Sequence, residues 1–87
     1  MGQGIDALSW EDIRLIGTIA ETGSLPEAAF RLGSHHSTVF RRLRQIEVAA
    51  GFPVFEREGQ RLSPSILGEE IVSLAQRAAT ALRIERQ

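Results

Sequence analysis

The sequence predicts a mainly α-helical chain: three short helices, a small two-stranded hairpin, then one long helix. Three observations carry this. Apolar residues recur at helical spacing in four separate stretches. Glycine-bearing breaks separate the first three of them. Between Phe52 and Ser63 the helical period gives way to two short runs around a glycine.

With 87 residues there is room for one small domain and a modest core. A hydrophobic share of 43% beside 24% charged residues is that of an ordinary globular chain, neither disordered nor membrane-spanning. No apolar run approaches the roughly 20 residues that cross a bilayer, and nothing has the pattern of a signal peptide. A cytoplasmic protein with no membrane partner is the expectation. The absence of cysteine excludes a disulfide scaffold, a zinc ribbon and thiol catalysis. The net charge of −1 hides an uneven distribution. From Arg31 to Arg61 six arginines face three glutamates, a local +3, while the remainder has four arginines against eight acids, −4. A local basic surface, rather than the average, decides whether phosphates are attracted.

Met1 to Ala7 reads as a loose lead-in, with Gly2 and Gly4 opposing regular structure. Ser9 caps the first helix with Asp12 three residues on, and Leu8 can staple onto Ile13. Ile13, Ile16 and Ala20 form its core stripe, widened by Leu15, Ile19 and Trp10, which is read as core. Thr22-Gly23 ends the helix. Ser24-Leu25-Pro26-Glu27 is a capping box for the second, which runs to about Leu32 with small Ala28 and Ala29 open to close approach.

The stretch from Ser34 to Gly51 makes a helix with two incompatible faces. Val39, Leu43, Ile46 and Ala50, at spacings of four, three and four, form a stripe to be buried. Ser37, Arg41, Arg44 and Val48 lie opposite, with Thr38 and Gln45 beside them. Arginine forks two hydrogen bonds onto a phosphate or a guanine edge, and small polar residues let a helix approach bases closely. A short alanine-bearing helix, a glycine turn and this polar-faced helix together make a helix-turn-helix.

Val54-Phe55 and Arg61-Leu62 then flank Glu58-Gly59-Gln60, a hairpin signal that predicts a two-stranded wing. Arg57 and Arg61 lie along it, available to phosphate or the minor groove unless Glu56 and Glu58 pair with them. Ser63-Pro64 or Ser65 opens a last helix expected to continue unbroken to Gln87, with no C-cap, as if cut from a longer helix. Leu67, Ile71, Leu74, Ala78 and Ala81 repeat at the four-and-three spacing of a coiled-coil seam, broadened by Ala75 and Leu82. So small a domain has little core to cover so long a helix. The expected dimerisation set is Leu67, Ile71, Leu74, Ala75, Ala78 and Leu82, pairing with the same helix of a second copy. The division expected is a winged helix-turn-helix over residues 1–64 and a linker and dimerisation helix over 65–87.

In this order, the segments AETGSL, EAAFRL, STVFRRL and FER resemble the DNA-binding domain of LysR-type transcriptional regulators, over about Leu8 to Leu82. The resemblance implies a homodimeric, sequence-specific binder of double-stranded DNA, possessed of no enzyme activity and no cofactor. Family members also carry an effector-sensing domain, so a small-molecule effector is expected only if such a domain lies outside this chain. Contacts come, by resemblance, from the start of the recognition helix and from the wing: Ser34, His35, His36, Ser37, Thr38, Phe40, Arg41 and Arg44, then Arg57 and Arg61. Three departures stand out. His35 occupies the usual capping serine's place, so Ser34 is a rival cap. Phe40 replaces a common serine before the key arginine and offers apolar contact to a thymine methyl in place of a hydrogen bond. Leu62-Ser63 comes two residues early for the family's leucine-threonine pair, predicting a shorter wing or an irregular last strand. The adjacent His35 and His36 diverge by about 100° on a helix and cannot chelate one metal. The rival reading is a winged-helix module that binds protein through Phe40 and has no salt-dependent affinity for DNA.

Overall fold

The computed structural model describes the backbone of residues 4–86 and their side chains apart from those of Ile5 and of residues 83–86. Each of the first three helices starts and stops where the sequence supplies a cap. Helix α1 spans Trp10–Thr22. Ser9 Oγ accepts from the Asp12 amide at 3.1 Å and Asp12 Oδ2 from the Ser9 amide at 2.9 Å, closing the expected capping box. Gly23, at φ 68°, ends the helix by donating its amide to the Ile19 carbonyl at 2.7 Å. Helix α2, Leu25–Leu32, begins with Ser24 Oγ accepting from the Glu27 amide at 3.3 Å. The second half of that box is missing: the Ser24 amide faces the Thr22 hydroxyl at 3.4 Å, not the Glu27 carboxylate. A Schellman turn closes α2, with the Gly33 amide 3.2 Å from the Phe30 carbonyl and the Ser34 amide 2.9 Å from that of Ala29. Helix α3 spans His36–Ala50, so Ser34 belongs to the turn and not to the helix.

A single core cluster gathers Ile13, Leu15, Ile16 and Ile19 from α1, the two alanines of α2, and Val39, Leu43 and Ile46 from α3. Each large aliphatic side chain buried there contributes about 1.5–3 kcal/mol. Trp10 departs from the expectation. It stands 45% exposed, because it shares a stripe with Arg14, Gly17 and Glu21 and not with Ile13, Ile16 and Ala20. The lead-in also differs. Residues Ile5–Ala7 make one 3-10 turn, and the Gly4 amide donates to the Ala50 carbonyl at 2.9 Å, so this stretch is tied to the end of α3. Met1 to Gln3 lie outside the described residues.

The wing pairs β1, Phe55–Glu58, with β2, Arg61–Pro64, in antiparallel register, Phe55 opposite Pro64 and Glu58 opposite Arg61. Gly59 takes the positive φ that the two-residue turn requires. The second strand is regular through Pro64, so of the two alternatives the irregular strand is not seen, and each strand of the wing is four residues long. The Leu62 amide donates to the Gly23 carbonyl at 3.0 Å, hanging the wing on the α1–α2 turn.

Helix α4 spans Gly68–Arg86, later than the sequence suggests, and Gln87 lies outside the described residues. Ile66 and Leu67 form an exposed turn ahead of it. Ser65 explains the late start. Its hydroxyl donates to the Pro53 carbonyl at 2.6 Å and accepts from the Gly68 amide at 3.0 Å. Its own amide donates to the Val54 carbonyl at 2.9 Å. A Cβ at Gly68 would strike that same carbonyl, so only glycine lets α4 start so close to the chain before the wing. At the other crossing, a Cβ on Gly17 would fall 2.9 Å from the Ala75 Cβ, which is how α1 and α4 come together.

Part of the expected dimer seam packs within the chain itself. Ile71 and Ala75 are buried with Val72 in the chain's own core, and Leu74 packs partly against it. The first half of α4 is needed to cover α1, so the apolar surplus is smaller than periodicity implied. The buried Ser65 lock gives a direct test. Ser65→Ala strands the Pro53 carbonyl and the Gly68 amide, and urea unfolding is expected to show a loss of about 1–3 kcal/mol with an unchanged denaturant slope.

Candidate nucleic-acid interface

The caps and core above fix which side of α3 faces out. Val39, Leu43, Ile46 and Ala50 are buried, as the stripe requires, while His36, Ser37, Phe40, Arg41, Arg44, Gln45 and Val48 are exposed. Thr38 is half-buried at the edge of that surface. Arg42 turns the other way and sits 3.9 Å from an Asp12 oxygen, a long contact of small energy at a half-exposed site. Among the described residues the only other ion pair joins Arg31 to Glu21 at 2.7 Å, and Arg41 and Arg44 take part in none.

The start of α3 is built by histidine. His35 Nδ1 accepts from the Ser37 amide at 3.2 Å and lies 2.8 Å from the Ser37 hydroxyl. His35 is therefore the cap, in the role that serine or asparagine usually fills, and Ser34 is not. The His36 ring stacks on that of His35, with centroids 5.1 Å apart and planes 24° from parallel. The two side chains are thus held against each other. Ser34, His35, His36 and Ser37 come together at the α3 start, with Phe40, Arg41 and Arg44 continuing along the helix.

The two wing arginines are not equivalent. The register sets Arg57 opposite Leu62 and Arg61 opposite Glu58, so their side chains leave opposite faces of the hairpin. Arg57 is exposed, and neither arginine pairs with Glu56 or Glu58 among the described residues. The Arg61 guanidinium rests against Gly23, where a Cβ would collide with it. It lies over the C-terminal end of α1, where the helix carries partial negative charge.

Two residues that hold this surface in place escape a reading by motif. Glu47 Oε2 accepts from the Val54 amide at 2.9 Å and ties α3 to the chain leading into the wing. Gly23 receives both Leu62 and Arg61. The parity of the wing arginines was open to derivation from the Gly59-Gln60 turn. The partner of Glu47 was not, since it lies across a loop.

Of the remaining residues expected at a dimer seam, Leu67 and Leu82 are about half exposed, and Ala78 is half-buried. Leu82 lines an open groove between α1 and α4 with Trp10 and Ala79. No helix among the described residues is long and apolar enough to cross a membrane.

Comparison with known proteins agrees with this geometry. CbbR, an HTH-type transcriptional regulator of Xanthobacter flavus, is 36% identical over 70 residues, 80% of this chain and 21% of that protein. The chain thus spans about a fifth of the length of such relatives. The same fold occurs in the CbnR DBD–DNA complex, with TM-score 0.75, 19% identity and 90% of each chain covered. It occurs again in the BenM DBD bound to benA site 1 DNA, with TM-score 0.79, 17% identity, and 90% of this chain and 88% of that one covered. The family model described as "Bacterial regulatory helix-turn-helix protein, lysR family" matches residues 10–69, more than half of the chain, and the chain belongs to that family.

Proposed function

We propose that this chain is the DNA-binding part of a transcriptional regulator that reads duplex DNA by laying α3 in the major groove. The observation that carries the reading is the outward face of α3, where Ser37, Arg41 and Arg44 stand opposite the buried stripe and free of carboxylate partners among the described residues. In the groove, arginine forks onto guanine, and the small Ser37 admits close approach. The CbnR and BenM domains, of the same fold, are named as DNA complexes, which supports this use of the fold. His36 and Thr38 flank the reading face, and Arg57 on the wing meets backbone phosphate. His35 and Ser34 serve the helix start and its turn. Arg61 acts through the wing's position more than through phosphate. The protein works in the cytoplasm, performs no catalysis itself, and answers to an effector only if a further domain exists outside this chain.

We further propose a homodimer formed by the outer half of α4. Residues 65–87 then serve two ends: Ile71, Val72 and Ala75 complete the domain of residues 1–64, and the turns after them meet the second copy. The apolar residues left for that contact are Leu82 and Ala79 beside the exposed Trp10, with Ala78 and Leu74 at the margin. Leu67 sits in the turn before α4. Two recognition helices related by a dyad meet successive major grooves, roughly 34 Å apart or a multiple of that.

Arg41→Ala is expected to weaken specific binding by about 1–3 kcal/mol and to relax preference at one base step, with the unfolding midpoint nearly unchanged. A folded variant with wild-type affinity and specificity would show that α3 is not the reading helix. The wing divides by face. Arg57→Ala should lower affinity for all sequences alike and reduce the slope of log affinity against log salt by about one. Arg61→Ala should leave that slope nearly intact and lower stability instead; equal slopes lost from both would return Arg61 to the phosphate. For the dimer, Leu82→Glu sets a charge on the exposed strip without entering the core. Sedimentation should find a monomer that binds a single half-site normally and the full palindrome poorly. A wild-type chain that is monomeric at tens of micromolar and binds one half-site per duplex contradicts the dimer.

A further inference from the structure

We infer that Phe40 makes the chain a reader of a thymine methyl group within each half-site. This rests on α3 being the major-groove helix and adds to that reading a base identity. Phe40 stands 50% exposed on the outward side of α3, directly before Arg41, three residues after Ser37 and four before Arg44. Its helix neighbours Val39 and Leu43 take the core, while half of the Phe40 surface is left open to solvent. A benzyl side chain has neither donor nor acceptor and is blind to the hydrogen-bond pattern of the base edges. The one apolar group that the major groove displays is the C5-methyl of thymine. Ring and methyl exclude water from each other, and no other groove group rewards a phenyl ring there.

Neither of the other large exposed rings competes for this role: Trp10 lines the groove between α1 and α4. Phe30 is 88% exposed on α2, but its surroundings are Pro26, Glu27 and Arg31, and Arg31 is engaged by Glu21. A carboxylate beside the ring repels a phosphate backbone. Phe40 has Ser37, Arg41 and Arg44 around it and stands within the cationic surface.

Deoxyuridine isolates the methyl, because it pairs as thymine does and lacks only that group. Duplexes enriched by the 87-residue chain from a random library would supply the site. Each thymine in the enriched site is then replaced singly by deoxyuridine, and affinity is measured for wild type, Phe40→Ala and Phe40→Leu, each checked for helix content. One position per half-site should weaken wild-type binding about fourfold, the worth of one buried methyl. Phe40→Ala should bind the thymine and uridine duplexes alike. Phe40→Leu, still apolar, should keep a reduced preference and serves alone if the alanine variant does not fold. Uridine without effect at every position, an enriched site lacking thymine, or a penalty that is the same in all three proteins overturns the inference while leaving DNA binding in place. Failure to enrich any sequence removes the DNA-reading proposal itself, and this inference with it.

Discussion

The carbonyl and left-handed backbone of Gly23 hold the helices and the wing in one arrangement. The residue stops α1, lets Ser24 start α2 at once, and offers its carbonyl to the Leu62 amide of β2. The Arg61 guanidinium lies against the face that a side chain would occupy. At φ 68° any other residue is strained, and here the added Cβ also meets that guanidinium. Conformational need and close packing thus coincide at one position. The angle of the wing to the helix-turn-helix follows from it, and so does the side on which Arg57 is presented.

A second lock sits on the far side of the wing. Ser65 satisfies the Pro53 carbonyl and the Gly68 amide, while Glu47 holds the Val54 amide. Short polar contacts therefore fix both ends of the hairpin, beside the buried side chains of Val54 and Phe55. Both groups sit where an unpaired backbone amide or carbonyl would cost about 1–3 kcal/mol. In a domain of this size, one or two such losses are a substantial part of the whole stability.

The arginines divide by what they touch. Arg31 and Arg42 lie near the carboxylates of Glu21 and Asp12, and Arg61 rests on the end of α1. Arg41, Arg44 and Arg57, like Arg14 and Arg77, have no carboxylate partner among the described residues. A net charge of −1 is compatible with an anionic ligand because the exposed outward side of α3 carries arginines and no acid, while five of the eleven acids lie in α1 and at the start of α4. Screening at physiological salt, with a Debye length of about 8 Å, limits how far those acids are felt.

Local interactions made much of this protein legible in its sequence. The Ser9-Asp12 box, the Gly23 and Gly33 stops, the Val39-Leu43-Ile46 stripe and the Gly59 turn all arise within a few residues, so period and capping chemistry determine them. The outward surface of α3 follows from the same period, and its candidate residues were nameable for that reason. What the tertiary structure decided depends on which faces meet. Periodicity says that Ile71, Ala75 and Leu82 are apolar on one helix. Only the close approach of Gly17 to Ala75 decides that the first two are core and the third is surface. Trp10 is exposed because its own stripe carries Arg14 and Glu21 beside the groove that α4 leaves open. Arg61 and Glu47 found their partners across turns, through contacts that have no spacing in the chain, and for such contacts a pattern of residues has no period to reveal them.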